Sequence, residues 1–209
     1  MLRYTTLILL IGTLASQTSF ADIISTFDTG SEGWTANGGS LTWVSAGGSP
    51  GGFISVADNA SNFMTVIAPT AFTGDLSAYL LGRVSFDAKN LNGSAPDLVR
   101  GSFGTVTITG SAATASRVLG GPNQPPADDA WHSYSAFLDP ADWTGDLTLA
   151  LANVSAITVE LESNETVPAE INGFDNFRVS AIPEPSSALL LLTAGGVACL
   201  VRRRGRTKR

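Results

Sequence analysis

The stretch RVSFDAK at residues 83–89 decides the fold class of this chain, because polar and apolar side chains alternate along it. Val84, Phe86 and Ala88 fall on one face of an extended backbone, and the polar residues between them fall on the other. A period of two is typical of a β-strand with one buried face and one face in water. The same alternation at residues 105–109 and 156–162 predicts strands there too.

Short apolar runs separated by turn residues continue through most of the chain. Gly, Asn, Asp, Ser and Pro interrupt the runs at frequent intervals, as expected for tight connections between antiparallel strands. This pattern predicts an all-β domain at residues 22–182, with antiparallel strands packed as a sandwich. Further strands are predicted at residues 23–27, 41–45, 53–57, 63–67, 133–138 and 173–180, and one short helix at 146–153.

Composition and charge exclude several classes of protein. The 209 residues contain one Cys and one His, which excludes a disulfide framework and a zinc site of the Cys/His type. Six of the 12 Lys and Arg residues lie within residues 202–209. The predicted sandwich therefore holds five basic residues against 17 acidic ones, a net charge of about −12. Such an acidic body repels phosphate backbones, so we expect no nucleic-acid partner.

Residues 1–21 have the order of a secretory signal peptide. Arg3 supplies a positive start, and residues 7–14 are apolar but too short to span a bilayer. Ser19 and Ala21 place small side chains at the two positions that a signal peptidase reads. We therefore expect the export machinery to recognise this segment, and cleavage between Ala21 and Asp22.

Residues 183–209 combine a proline-rich start, an apolar run and a basic end. Residues 186–201 carry no charge. As a helix they would span about 24 Å at ~1.5 Å per residue, less than the ~30 Å of a hydrocarbon core. The arginines at 202–204 would stop transfer and stay cytoplasmic. The order is typical of a removable membrane anchor, and a plain C-terminal transmembrane helix is the alternative.

In its three parts this tail resembles the PEP-CTERM sorting signal of Gram-negative bacteria. The resemblance implies that exosortase, a membrane transpeptidase-like enzyme, recognises the tail and cleaves near the proline–glutamate–proline triplet. It also implies an inner-membrane intermediate, and then a place at the cell surface or in an extracellular matrix rich in exopolysaccharide. The matching residues are Pro183, Glu184, Pro185, Arg202, Arg203 and Arg204.

A second resemblance covers residues 27–179 and is carried by an ordered set of short motifs. The set comprises FDTGSEGW at 27–34, GGSPGGFISVAD at 47–58, FTGDLSAY at 72–79, WHSY at 131–134 and GFDNFRV at 173–179. In that order the motifs resemble the laminin B domain, also called laminin IV type A, although residues 80–82 depart from its pattern. The resemblance implies a jelly-roll β-sandwich, related to galactose-binding-like carbohydrate modules, without conserved catalytic chemistry.

Candidate catalytic residues are few. Asp128 and Asp129 are adjacent carboxylates that follow two prolines, a position typical of a solvated loop, whereas glycoside hydrolysis needs two separately placed carboxylates. His132 follows Trp131 at a strand start, without the Ser or Cys of a nucleophile elbow. We therefore expect a non-enzyme. The alternative is a secreted hydrolase with an atypical carboxylate site.

Four tryptophans are candidates for stacking on sugar rings, because a flat apolar face suits the C–H face of a pyranose. All of them fall near strand ends, where plugging the core or anchoring a loop is the more common role. Trp43 and Trp131 are the first ligand-binding candidates, since each lies beside polar strand residues. The acidic body favours neutral or basic glycans over uronate-rich or sulfated ones.

Asp175 is a candidate metal ligand. Alternation along residues 173–180 predicts it on the same face as Phe177 and Val179, and a core-facing carboxylate must be hydrogen-bonded, paired or bound to a metal. The jelly-roll resemblance implies a structural calcium where the first and last strands meet, with Asp28 and Glu32 supplying further oxygens. The alternative is an aspartate that accepts N–H bonds within a turn.

Taken together, these patterns predict an exported, exosortase-sorted protein of the cell surface or biofilm matrix. Its single sandwich has a non-catalytic binding or structural role, with extracellular polysaccharide as one candidate partner. A protein-binding adhesin or spacer is the alternative from another class.

Overall fold

Twelve β-strands, one α-helix and three short 3₁₀ helices (Thr70–Phe72, Ser77–Tyr79 and Pro140–Asp142) form the described part of the protein. The structure is a computed structural model that describes residues 20–59, 63–93, 101–164 and 170–182. The helix is α1 (Leu147–Leu151), and the strands are β1 (Ile23–Ser25), β2 (Thr35–Asn37), β3 (Gly39–Val44), β4 (Phe53–Asp58), β5 (Thr65–Ile67), β6 (Arg83–Asn90), β7 (Thr105–Gly110), β8 (Thr114–Val118), β9 (His132–Phe137), β10 (Thr144–Gly145), β11 (Val154–Glu160) and β12 (Ile171–Ser180).

The strands form two antiparallel sheets of six strands each. The first sheet has the order β3-β4-β12-β6-β9, and β1 pairs with β12 beyond the end of β4. The second sheet has the order β10-β8-β7-β11-β5-β2. The protein is therefore the antiparallel jelly-roll β-sandwich that the alternating sequence and the laminin resemblance predicted.

The core lies between the sheets and is built from the apolar faces of the alternating strands. The apolar residues of β6 are buried and its polar residues as far as Lys89 face outward, whereas Asn90 at the end of the strand is buried. Trp34, which is 2% exposed, lies at the centre of an aromatic cluster, with ring centroids 5.0 Å from Phe177 and 5.2 Å from Phe174. Phe27 and Phe72 complete the cluster. Ring pairs of this kind contribute about 0.5–1.5 kcal/mol each beyond their area burial.

All nine predicted strands are present, with ends shifted by a few residues, and the predicted short helix is confirmed as α1. The helix begins after Asp146, whose carboxylate accepts the Leu149 N–H at 2.9 Å. Strands β2, β8 and β10 were not predicted from the sequence. Strands β2 and β10 have three and two residues, and β8 buries a single side chain, so none of them shows an alternating apolar pattern.

The predicted orientation of Asp175 is wrong. The register between β12 and β6 shifts after Asp175, which pairs with Asp87, whereas Val179 pairs with the core residue Val84. The shift is a β-bulge, and a bulge changes which face the following residues occupy. Asp175 therefore lies with Asp87 on the outer face of the first sheet, not with Phe177 and Val179 in the core.

The first and last strands of the sandwich lie side by side. Strand β1 runs antiparallel to the last part of β12, with Ile23 opposite Val179. Just before β1, the Ala21 carbonyl accepts the Tyr79 hydroxyl at 2.7 Å, and the Asp22 carboxylate lies 3.5 Å from the Arg178 guanidinium. The predicted cleavage bond between Ala21 and Asp22 thus adjoins the start of the fold.

The remaining terminal predictions fall outside the described residues. These are most of the signal peptide, residues 1–19, together with the sorting residues 183–185 and 202–204 and the apolar run between them. Within the described ranges, no helix is long and apolar enough to cross a membrane.

Candidate functional site

A glycine-rich loop at residues 45–52, here called the glycine loop, lies on the outer face of the first sheet. Its turn is closed by a hydrogen bond from the Gly48 N–H to the Gly51 carbonyl at 2.9 Å. The Ser49 N–H donates to the Asp175 carboxylate at 2.6 Å, which ties the loop to β12. Gly51 has a φ of +90°, and a Cβ at this position would lie 2.0 Å from Asp28 Oδ1. A side chain at this position would displace Asp28 from the loop.

Trp131 holds the glycine loop from the side of β9. Its indole N–H donates to the Gly47 carbonyl at 2.9 Å, and its ring meets the Phe53 ring edge-on at 5.3 Å. The far edge of the indole covers Gly173, where a Cβ would lie 2.8 Å from the ring. Trp131 stays partly exposed in this position, so it anchors the loop and still presents an aromatic surface.

Trp43 approaches the same loop from the edge strand β3. Its indole N–H donates to the Phe27 carbonyl at 2.7 Å, and 38% of the residue is exposed. Trp34 and Trp143, in contrast, are buried in the core. Trp43 pairs with the core residue Ile54, and its indole nitrogen lies next to Gly52 at the end of the glycine loop. Trp131 instead packs on Phe53 on the outer face. The two predicted ligand-binding tryptophans therefore approach one loop from opposite faces of the sheet, and the other two are buried in the packing.

Three carboxylates surround the glycine loop. The pKa of Asp175 is raised to about 6. Burial is the largest cause, and the nearby charges of Asp87 and Asp28 also raise this pKa, whereas two backbone N–H donors lower it. The Asn176 amide connects the group, because it donates to Asp87 at 2.9 Å and to the Ser49 carbonyl. Asn176 has a φ of +51°, a left-handed conformation that asparagine tolerates better than most residues.

The predicted calcium ligands are only partly brought together. Asp28 and Asp175 contact the glycine loop, but Glu32 accepts the Phe27 N–H at 2.7 Å and Asp28 accepts the Thr26 hydroxyl at 3.0 Å. Over the four described ranges, no group of three or more His, Cys, Asp or Glu side chains is arranged to hold a metal ion. Carboxylate oxygens suit Ca²⁺, and calcium at Asp28, Glu32 and Asp175 stays a prediction.

The adjacent acids Asp128 and Asp129 lie on the surface beside Trp131. His132 Nε2 lies 3.0 Å from both Asp128 carboxylate oxygens. This hydrogen bond, together with one from the Ala130 N–H, lowers the pKa of Asp128. Asp129 forms an ion pair with Lys89 at 2.6 Å. Each acid is therefore paired with a base at the surface, as expected for a solvated loop.

A pair of buried glutamates was missed by the sequence analysis. Alternation predicted Glu162 on a wet strand face, but β11 ends at Glu160 and Glu162 is buried. Its carboxylate accepts the Met64 N–H at 2.8 Å. Glu170, which is 1% exposed, accepts the Ser163 N–H at 2.9 Å and the Ser163 hydroxyl at 2.8 Å. No local pattern marks Glu170 as buried, because its environment comes from residues of other segments.

The buried glutamate predicts a pH-dependent stability. Burial raises the pKa of Glu170 to about 7, and the charge of Glu162 adds to the shift. Between the unfolded-state pKa near 4.5 and about 7, the folded state binds more protons than the unfolded state. The free energy of unfolding should therefore fall as the pH rises through this window, and level off above it. Urea unfolding from pH 4.5 to 8 measures this slope.

The variant Glu170→Gln isolates the contribution of this group. Because glutamine does not titrate, we expect a flatter slope between pH 6 and 7, where the Asp175 contribution is already mostly lost. Asp129→Asn is the matched control, since it removes an exposed carboxylate and should keep the slope of the unchanged protein. An unchanged slope in Glu170→Gln would contradict the raised pKa.

The C-terminal segment matches the family model of the PEP-CTERM protein-sorting motif over residues 181–206. The match confirms the tail resemblance and implies an exported protein that exosortase sorts to the cell surface. No laminin B family model matches the sequence, and no curated protein matches it either.

Solved structures share the sandwich fold at low sequence identity. The L4b domain of human laminin alpha-2 has a TM-score of 0.51 at 7% identity, over 76% of this chain and 97% of that domain. The module CtCBM11 has a TM-score of 0.50 at 15% identity, over 82% and 100%. An exo-beta-agarase has a TM-score of 0.50 at 16% identity, and this chain covers 25% of its length. These likenesses show the fold alone, and they support the laminin resemblance at that level.

Proposed function

We propose that this protein is a non-catalytic polysaccharide-binding protein, which exosortase sorts to the cell surface or the biofilm matrix. The observation that carries the proposal is the partly exposed indole of Trp131, which is held on the glycine loop of a sandwich that is followed by a sorting motif. The fold is shared with a carbohydrate-binding module and with part of an agarase. Before processing, the tail holds the intermediate in the inner membrane.

The surface around Trp131 has the composition of a sugar-binding patch. Gly173 lies directly beneath the indole, and Lys89 is its neighbour on the adjacent strand β6. Ser133 lies two residues along β9 and donates its hydroxyl to Asp87 at 2.5 Å. An aromatic face beside fixed donors and acceptors suits a pyranose, whose apolar C–H face stacks while its hydroxyls form hydrogen bonds.

The arrangement of acids supports a binding role over hydrolysis. Glycosidases need one carboxylic acid and one carboxylate on opposite sides of the scissile bond. The carboxylates at the glycine loop are held by backbone and side-chain donors that tie the loop to the sheet. The buried glutamates likewise accept N–H bonds that close the end of the sandwich. These hydrogen bonds give both groups a structural role.

Binding to the producer's own exopolysaccharide tests this proposal. The full-length protein in detergent is titrated calorimetrically with the purified polymer, beside Trp131→Ala, Trp131→Phe and Trp43→Ala. We expect Trp131→Ala to weaken binding about tenfold or more, the loss typical of an aromatic anchor. Trp131→Phe, which keeps a ring, should retain part of the affinity, and Trp43→Ala tests the second candidate.

Two outcomes would contradict the proposal. The absence of polymer binding by the unchanged protein would leave the adhesin or spacer alternative. Hydrolysis of the polymer during the titration would favour the secreted hydrolase. Circular dichroism of each variant checks that the sandwich remains folded, and unchanged binding in both folded Trp→Ala variants would place the site elsewhere on the protein.

A further inference from the structure

A groove at the end of the first sheet lies away from the glycine loop. It has a volume of about 520 Å³ and is lined by residues from both chain ends and from the sheet, among them Asp22, Leu81, Arg83, Phe137, Arg178 and Ile182. Its size falls within the ~300–1,000 Å³ of small-molecule sites. The groove exists because β1 pairs with the end of β12, which brings Asp22 next to Arg178.

Two cross-sheet rows form the floor of this groove. Ser180, Arg83 and Phe137 lie opposite one another on β12, β6 and β9. Arg178 lies in the next row. The Arg83 guanidinium lies 4.4 Å from the centre of the Phe137 ring and donates to the Ser135 hydroxyl at 2.7 Å. These two contacts fix the guanidinium in place, because a cation over an aromatic face at this distance is attracted by it.

The charge of the groove is opposite to that of the body. Four Lys and Arg residues lie in the described ranges, and two of them, Arg83 and Arg178, line the groove. Lys89 and Arg117 form ion pairs elsewhere on the sandwich at 2.6 and 2.8 Å. Arg178 has a looser pair with Asp22 at 3.5 Å. Within the part of the chain that the structure describes, no carboxylate pairs with Arg83, so its remaining donors are available to a ligand.

The groove also offers apolar surface. Phe137 is 54% exposed, and Leu81 and Ile182 are exposed to similar extents. An exposed phenyl ring beside aliphatic side chains is suited to the C–H face of a ring-shaped ligand. A guanidinium, in turn, presents a planar fork of N–H donors that matches a carboxylate. The two recognition elements are a few ångströms apart, within the reach of one sugar residue.

We propose that this groove binds a sugar that carries a single carboxylate, with Arg83 on the carboxylate and Phe137 against the ring. The inference rests on the proposed polysaccharide binding and adds the class of sugar recognised at a second place. A body with a net charge of about −12 repels a polymer of uronates. The groove therefore selects a single acidic sugar within an otherwise neutral glycan. Phe20 also lines the groove. Cleavage after Ala21 would remove Phe20 and add a positively charged ammonium group at Asp22, which attracts a carboxylate.

The test compares methyl glucuronide with methyl glucoside, which differ in the carboxylate. Backbone amide shifts of Leu81, Gly82 and Ser180 are followed by NMR in the full-length protein in detergent. We expect the glucuronide to bind, and the glucoside to bind about tenfold more weakly or not at all, since a hydrogen bond to a charged group contributes about 1.5–3 kcal/mol. Arg83→Gln should abolish this preference. Arg117→Gln, which removes an exposed arginine elsewhere on the sandwich, should keep it.

Three outcomes would overturn the inference: equal binding of the two sugars, no shift with either, or an unchanged preference in Arg83→Gln. If the protein binds the polymer at Trp131 but not the glucuronide, the inference about the groove is refuted and the proposed function stands. If the protein binds the glucuronide but not the polymer, the proposed function is refuted instead.

Discussion

Deleting residues 183–209 is expected to release the sandwich as a folded, soluble protein into the periplasm or the medium. The reason is that the buried core extends from Phe27 to Val179, and the final strand β12 ends at Ser180. The uncharged run 186–201 and the basic residues after it are the part of the tail suited to membrane retention. In cells that lack exosortase, where the tail is not processed, the expected change is a transfer of nearly all the protein from the membrane fraction to the soluble fraction.

Cell fractionation followed by immunoblotting measures this transfer, and thermal unfolding of the released protein tests its fold. Glu184→Gln is the matched control, because it alters the sorting triplet but leaves the apolar run and the arginines in place. This variant should stay in the membrane fraction. Recovery of the truncated chain as unfolded or aggregated protein would show that the tail is part of the fold, against the division into a 22–182 body and a 183–209 sorting segment.

Replacing Trp34 by alanine is expected to remove about 3–5 kcal/mol from the free energy of unfolding. The side chain contacts four phenylalanine rings, and its indole N–H donates to the Ser25 hydroxyl at 2.9 Å. Alanine would leave a cavity among these rings and an unpaired buried hydroxyl. A domain of this size has a stability of about 5–15 kcal/mol, so the variant should be largely unfolded at moderate urea concentration.

Urea unfolding of the 1–182 chain, followed by far-UV circular dichroism, measures the loss. Trp34→Phe keeps a ring in the cluster and should recover most of the stability, apart from about 0.5–1.5 kcal/mol for the hydrogen bond. Trp43→Ala removes a tryptophan that is 38% exposed and should cost much less. Equal losses in Trp34→Ala and Trp43→Ala would contradict the assignment of Trp34 to the core.

Most of the fold could be predicted because strand alternation is a local property. Each residue of 83–89 shows by its own polarity which face it occupies, and the burial of these residues in β6 follows that pattern, although Asn90 at the end of the strand is buried. The short strands β2 and β10 carry too few residues to show any period. The helix could be predicted from a cap residue and the leucines that follow it.

The candidate site could be predicted only in part. The sequence pointed to Trp43 and Trp131 as ligand-binding candidates and to Asp28, Glu32 and Asp175 as the ligands of one calcium ion. The structure places all of these except Glu32 at the glycine loop. Asp87 and Asn176, which complete the carboxylate group, were missed. Asp87 shows the ordinary signal of an outward-facing strand residue, and its proximity to Asp175 depends on the register between β6 and β12.

By itself, the sequence determined the strand pattern, the acidic body, the sorting motif and the two tryptophans beside polar strands. These properties depend on residues that are neighbours in the chain, so polarity and spacing are sufficient to recognise them. The tertiary structure alone decided the face of Asp175, the burial of Glu170 and the meeting of Arg83 with Phe137 and Arg178. The face of Asp175 depends on a bulge, and the meeting of Arg83 with Phe137 and Arg178 depends on pairing between distant strands. The burial of Glu170 depends on its contacts with Ser163. A register shift of one residue moves a side chain to the opposite face of a sheet, so local polarity does not reveal such placements.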